Sequence, residues 1–138
     1  MTREQKLNKM MIKADLRIVE INWNLDNKAD RLQAAYHMQQ AIEKTIKLKA
    51  DILGLEELWG HNIAKLIKDC EEKNIDIFVP KLIQEKADMY TEWETDGRYF
   101  PTTVVRRDAI KKAYDVTVEW LESGATADKQ RKTKGKTS

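Results

Sequence analysis

Leu7, Met11, Ala14, Ile18, Ile21 and Leu25 follow one another at alternating spacings of four and three, which predicts a first helix from about Arg3 to Asn24 with these residues as its inward seam. Met10, Leu16, Val19 and Trp23 widen that seam. The cluster Asn24-Leu25-Asp26-Asn27 supplies turn and N-cap chemistry, with Asp26 or Asn27 as the cap of a second helix. So short a connection makes the two helices antiparallel neighbours. The second helix is predicted to reach Leu53 and to stop at Gly54. One side of it carries two apolar rows, Ala35, Ile42, Ile46 and Leu53 beside Ala34, Met38, Ala41, Leu48 and Ile52. The opposite side is a stripe of Tyr36, Gln40, Glu43 and Lys47, confined to roughly 60° of the helix circumference. A surface helix needs an apolar stripe of only about 100°, so this helix is expected to pack on two neighbours and to form the centre of a bundle.

Leu55 to Gly60 reads as a loop, and Asn62 to Lys73 as a short third helix with Ile63, Leu66, Ile67 and Cys70 inward. The β-leaning segment Ile75 to Pro80 is isolated, and Pro80 is read as the first residue of a fourth helix that keeps Leu82, Ile83, Lys86, Met89, Tyr90 and Trp93 in helical register. Asp96-Gly97 is expected to end it. Arg98 to Thr102 then forms an aromatic, proline-containing connection, Thr103 caps the last helix, and Gly124 closes it. The inward row of that helix is Ile110, Ala113, Tyr114, Thr117 and Leu121, with Trp120 beside it. The fold class is therefore all-α, an antiparallel bundle of about five helices over residues 1–123.

Composition changes this picture little. With 138 residues, 35% charged, five glycines and two prolines, the chain has the size and make-up of one helical domain. No apolar run approaches the roughly 18 residues of a membrane span, and the first residues lack a signal-peptide core, so the expected location is cytoplasmic. A lone cysteine cannot staple the fold internally, and no Cys/His cluster has metal spacing, so neither a metal nor a cofactor is expected. The charge is uneven. Residues 124–138 carry five basic groups and one acid, whereas 1–123 hold 20 basic and 22 acidic residues. The tail, without a large apolar side chain, is expected to be disordered and basic. The slightly acidic body lacks the strongly basic face of a general nucleic-acid binder.

The stretch QQAIEKTIKL, with Tyr36-His37 just before it, resembles the second helix of HEPN domains, the "higher eukaryotes and prokaryotes nucleotide-binding" family. Gly60-His61 before an amphipathic helix, and Arg98-Tyr99-Phe100-Pro101 before the last one, sit where that family has counterparts. The resemblance implies a helical bundle and a homodimer. It also implies a module without nuclease activity that binds a nucleotide or RNA, or pairs with a minimal nucleotidyltransferase in a two-component, toxin–antitoxin-like system. Its ligand contacts would be Tyr36, His37, Gln40, Glu43, Lys44, Lys47, His61, Arg98 and Tyr99, with Lys and Arg for phosphate and Tyr and Gln for orientation.

Two alternatives stand beside this expectation: a metal-independent endoribonuclease toxin, and a purely structural interaction domain. For the ribonuclease, His37 or His61 would be the acid–base group and Arg98 the stabiliser of a charged phosphate. The family's ribonucleases carry R-x(4–6)-H. Arg31 and His37 fit that expression, but six residues on a helix set their side chains about 120° apart. No histidine follows Arg98, Arg106 or Arg107. The enzyme assignment therefore leans towards none.

Overall fold

The computed structural model describes the backbone of residues 1–99 and 104–137 and the side chains of residues 1–94 and 104–123. Among these residues there are six helices and no strand. α1 (Arg3–Asn22) begins at Thr2, whose hydroxyl accepts from the Gln5 amide while the Gln5 side chain accepts from the Thr2 amide. This reciprocal cap satisfies two amides that a helix start leaves open. α2 (Lys28–Ile52) starts at Asn27, whose side chain accepts from the Ala29 amide. α2 stops as expected. Gly54, at φ +96°, and Leu55 donate back to the carbonyls of Asp51 and Ala50, the pairing of a Schellman motif.

α1 and α2 are antiparallel: Gln5 reaches Asp51, whereas Asp15, ten residues on, meets His37 and Lys44. The inward face of α1 is not the predicted one. Ile12, Leu16 and Val19 are buried together with Asp15, while Leu7, Met11 and Ile21 of the expected seam are 52%, 58% and 68% exposed. α1 bears apolar residues on two opposite sides. Periodicity finds both stripes but cannot tell which meets α2, a choice made here by the polar anchors Gln5 and Asp15.

The apolar rows of α2 behave as predicted along most of their length. Ala34, Ala35, Met38, Ala41, Ile42, Ile46 and Leu48 are buried, each larger side chain contributing on the order of 2 kcal/mol by removal from water. Leu53 is half-buried and Ile52 exposed where the helix leaves the bundle. α2 is more central than two neighbours would make it, touching α1, α3, α5 and α6.

α3 (Ile63–Glu72) is capped by Asn62 and closed by Asn74 at φ +57°. The predicted fourth helix is two. α4 (Lys81–Glu85) is one turn against α6, and after a non-helical Lys86, α5 (Ala87–Tyr99) lies on α2 and α3. The two pieces serve different tertiary partners. α5 also runs through Asp96-Gly97, so the backbone of Arg98 and Tyr99 is helical rather than looped. An interior glycine costs a helix only about 1 kcal/mol and is no stop signal without a left-handed cap. The side chains of Arg98 and Tyr99, and the predicted Phe100–Thr103 connection and cap, lie outside the described residues.

α6 (Arg107–Thr137) begins later than Thr103 implies and continues past Gly124. Lys, Arg, Gln and Ala beyond that glycine are good helix formers, which permits helical backbone there. The packing of that tail, and hence its expected disorder, concerns side chains outside the described residues. α6 runs antiparallel to α1, as the pairs Lys9–Glu122, Tyr114–Glu20 and Arg107–Asp26 require. Ile110, Ala113, Thr117, Trp120 and Leu121 face the core as predicted, and Trp120 Nε1 donates to the Ile77 carbonyl. Among the described residues, no helix is long and apolar enough to cross a membrane.

Candidate functional site

The polar side of α2 is not a solvated stripe. It holds two centres, each a carboxylate shared between a histidine and a lysine. In the first, Asp15 of α1 accepts from Lys44 Nζ at 2.7 Å through Oδ2, and its Oδ1 lies 2.9 Å from His37 Nδ1. Asp15 sits among Ile12, Leu16 and Val19, so its charge is tolerable only because both oxygens are engaged. The ring of Tyr36 meets that of His37 edge to face at 5.2 Å.

The second centre lies toward the α3 end of the bundle. Glu43 Oε2 accepts from Lys47 Nζ at 3.1 Å, the i,i+4 pair visible in the sequence. Its Oε1 lies 2.8 Å from His61 Nδ1 and accepts from Gln39 Nε2 at 3.2 Å. Gln39 is fully buried, and its Oε1 accepts from Gln40. Glu94 of α5 stands 4.0 Å from the same His61 nitrogen. Asn62 caps α3, and the His61 imidazole turns toward Glu43.

These two centres account for His37, Lys44, Glu43, Lys47, His61 and Gln40 from the sequence-predicted set, with Tyr36 beside the first. Arg98 and Tyr99 lie outside the described side chains. Arg31 and His37 do not act together: Arg31 Nη1 donates to the Asp26 carbonyl, in keeping with their wide angular separation. Three positions in these centres escaped sequence reasoning. Asp15 had a readable signal, an acid in the middle of an apolar row. Gln39 had a weaker one, its place between Met38 and Ala41. Glu94 had none, because only the docking of α5 onto α2 brings it near His61.

Lys44 and Lys47 also form part of the wall of an open cleft of about 740 Å³ between the start of α1 and the second half of α2. Arg3, Asn8, Gln5 and Met11 line it as well, with Glu4, Asp51 and Glu56 supplying acidic groups. A pocket of several hundred cubic ångströms has the size range of small-molecule sites. The charges on its walls are balanced, so any anion selectivity must come from where the two lysines point rather than from a net field.

Cys70 takes no part. It is buried, and burial, followed by the neighbouring Asp69 and Glu71 charges, pushes its thiol pKa up, away from the reactive thiolate.

No curated protein and no solved structure matches the chain. A family model, HEPN domain, matches residues 9–124. That span covers α1 from the end of its second turn, both histidine–carboxylate centres and α6 as far as Gly124. The chain belongs to the HEPN domain family.

Proposed function

We propose that this HEPN domain is a non-nuclease module that binds a nucleotide through the polar side of α2 and pairs with a minimal nucleotidyltransferase. The observation that carries the reading is the cleft between α1 and α2, with Lys44 and Lys47 on one wall. Each ammonium is held in place by a carboxylate, Asp15 or Glu43, and retains further donors for phosphate oxygens.

The test is a melting curve of the purified chain against a panel of ribonucleotides. Binding raises Tm in proportion to RT ln(1 + [L]/Kd), so a ligand at 100 Kd stabilises by about 2.7 kcal/mol. The shift should be lost on Lys44→Met and Lys47→Met. Unchanged Tm across the panel at millimolar ligand overturns nucleotide binding and leaves an interaction module. Failure to co-purify with a co-expressed nucleotidyltransferase overturns the pairing.

The reading also includes a homodimer. The apolar rows of α2 are spent inside the monomer, but Leu7, Met11, Ala14, Ile18 and Ile21 of α1 keep the four-three spacing of a self-pairing helix seam, with Leu7, Met11 and Ile21 exposed and Met10 exposed beside them. Light scattering should give twice the chain mass, falling to one for the Met11→Lys/Ile21→Lys double variant. A wild-type monomer ends the dimer proposal.

One feature favours a second reading, the endoribonuclease. Both histidines place Nδ1 on a carboxylate, which orients the ring and leaves Nε2 for proton transfer. RNA cleavage in chelator, lost in His37→Ala, His61→Ala or Arg98→Ala, would establish it over the first.

A further inference from the structure

Glu43, His61 and Glu94 come from three separate segments, α2, the approach to α3 and α5, and their donor atoms all lie within 4.8 Å of one another. From this convergence we infer that the second centre is a binding site for one divalent cation of the zinc class. The inference does not rest on nucleotide binding.

The donor set is an imidazole nitrogen and two carboxylates. Mixed nitrogen and oxygen ligands suit borderline ions such as Zn²⁺, whereas copper(I) selects sulfur and calcium an all-oxygen shell. Ligands around zinc sit about 2.0–2.2 Å from the ion, hence about 3–4 Å from each other. His61 Nδ1 is 2.8 Å from Glu43 Oε1, a hydrogen bond that must open slightly to admit an ion, and 4.0 Å from Glu94 Oε1, already at the edge of that range. The ion takes the place of the hydrogen on Nδ1, and the neutral ring carries its one proton on Nε2 instead.

Charge points the same way. Among the described side chains, Glu43 and Glu94 carry two negative charges against the ammonium of Lys47, an excess of one negative charge while the imidazole is neutral. The Glu43 side chain is only 6% exposed and Glu94 21%, so water screens the excess incompletely, while His61 at 65% gives an ion access.

The ligands are also held from behind, as in established metal centres. Lys47 engages Glu43 Oε2 and leaves Oε1 for the ion. The carbonyl of His61 accepts from Gln39 Nε2, and two residues on, the Ile63 amide donates to Thr91 Oγ1 at 2.9 Å. Thr91 is three residues from Glu94 on the same helix, so the backbone of the His61 segment is tied to the two helices that supply the other ligands. Three protein ligands leave a fourth position for water or a phosphate oxygen, the pattern of an open zinc site.

The experiment titrates tag-free protein, stripped with chelator and dialysed, with zinc chloride by calorimetry, and repeats it on Glu94→Gln and His61→Ala. Both substitutions lie at partly or largely exposed side chains, and far-UV circular dichroism with melting in chelator verifies that the variants fold. The expected result is one saturable equivalent per chain, weakened at least ~100-fold in each variant, more than the loss of a supporting group produces. Visible absorption of the cobalt-substituted protein should disappear with His61→Ala. No saturable binding by the wild type overturns the inference. Binding that either variant leaves unchanged overturns the three-ligand assignment.

Discussion

The two centres on α2 have the same parts list and different chemistry. Each joins a carboxylate to a lysine through one oxygen and to a histidine Nδ1 through the other. At Asp15 the account closes, one carboxylate against one ammonium, and the group sits between α1 and α2 as a clamp. At Glu43 a further carboxylate, Glu94, stands near the same imidazole, so among the described side chains the centre holds one more negative charge than positive. The first is built to hold two helices in register. The second is built to receive something positive. A single residue delivered by α5 separates the two roles, which teaches that a motif's function depends on its electrostatic balance as well as on its members.

The comparison breaks most visibly at Asp15. Asp15→Ala should lower the unfolding free energy in urea by about 3 kcal/mol, because it removes the anion that both Lys44 and His37 engage and the polar tie between α1 and α2. A loss below 1 kcal/mol would reduce the clamp to an ordinary surface pair.

Alkaline denaturation reads the packing beneath the second centre. Tyr90, one turn before Glu94, is buried, and burial pushes its phenol up to about 12. The folded state thus favours the protonated form, and the stability this gives is complete below the ordinary phenol value of about 10 and lost as pH rises through 12. Two units correspond to roughly 2–3 kcal/mol. Urea titrations at pH 9 and pH 12 should show that decline in the wild type and a smaller one in Tyr90→Phe.

Thr117 of α6 is fully buried, and among the described residues its hydroxyl has no hydrogen-bond partner. Thr117→Val, of the same shape, should raise the melting free energy by about 1 kcal/mol. The smallest effect is the sharpest. Glu94→Gln removes a charge the second centre does not need for folding, so stability without metal should stay within about 0.5 kcal/mol of the wild type. A large destabilisation by Glu94→Gln would make Glu94 a structural partner like Asp15 and erase the distinction between the centres.

Much of the fold was legible from local chemistry. Asn27 and Asn62 stand where short side chains satisfy open amides, and Gly54 where a left-handed residue is needed. The rows of α2 are apolar over too wide an arc for any place but the centre. The pair Glu43–Lys47 is local as well, since i and i+4 meet on any helix. His61 was found as a candidate without its carboxylate partners, because Glu43 and Glu94 reach it only across the fold.

What sequence by itself determined is the set of properties that depend on a few neighbouring residues: the helices, their caps, the all-α class and the polar side of α2. Tertiary structure decided the properties that depend on distance across the chain. It chose which of two apolar stripes on α1 is buried, since helical periodicity is blind to direction. It split the fourth helix, since α4 and α5 serve different neighbours. And it set Asp15 against His37 and Glu94 against His61, pairs 22 and 33 residues apart along the chain, because only packing brings such residues within the few ångströms over which charge and hydrogen bonding act.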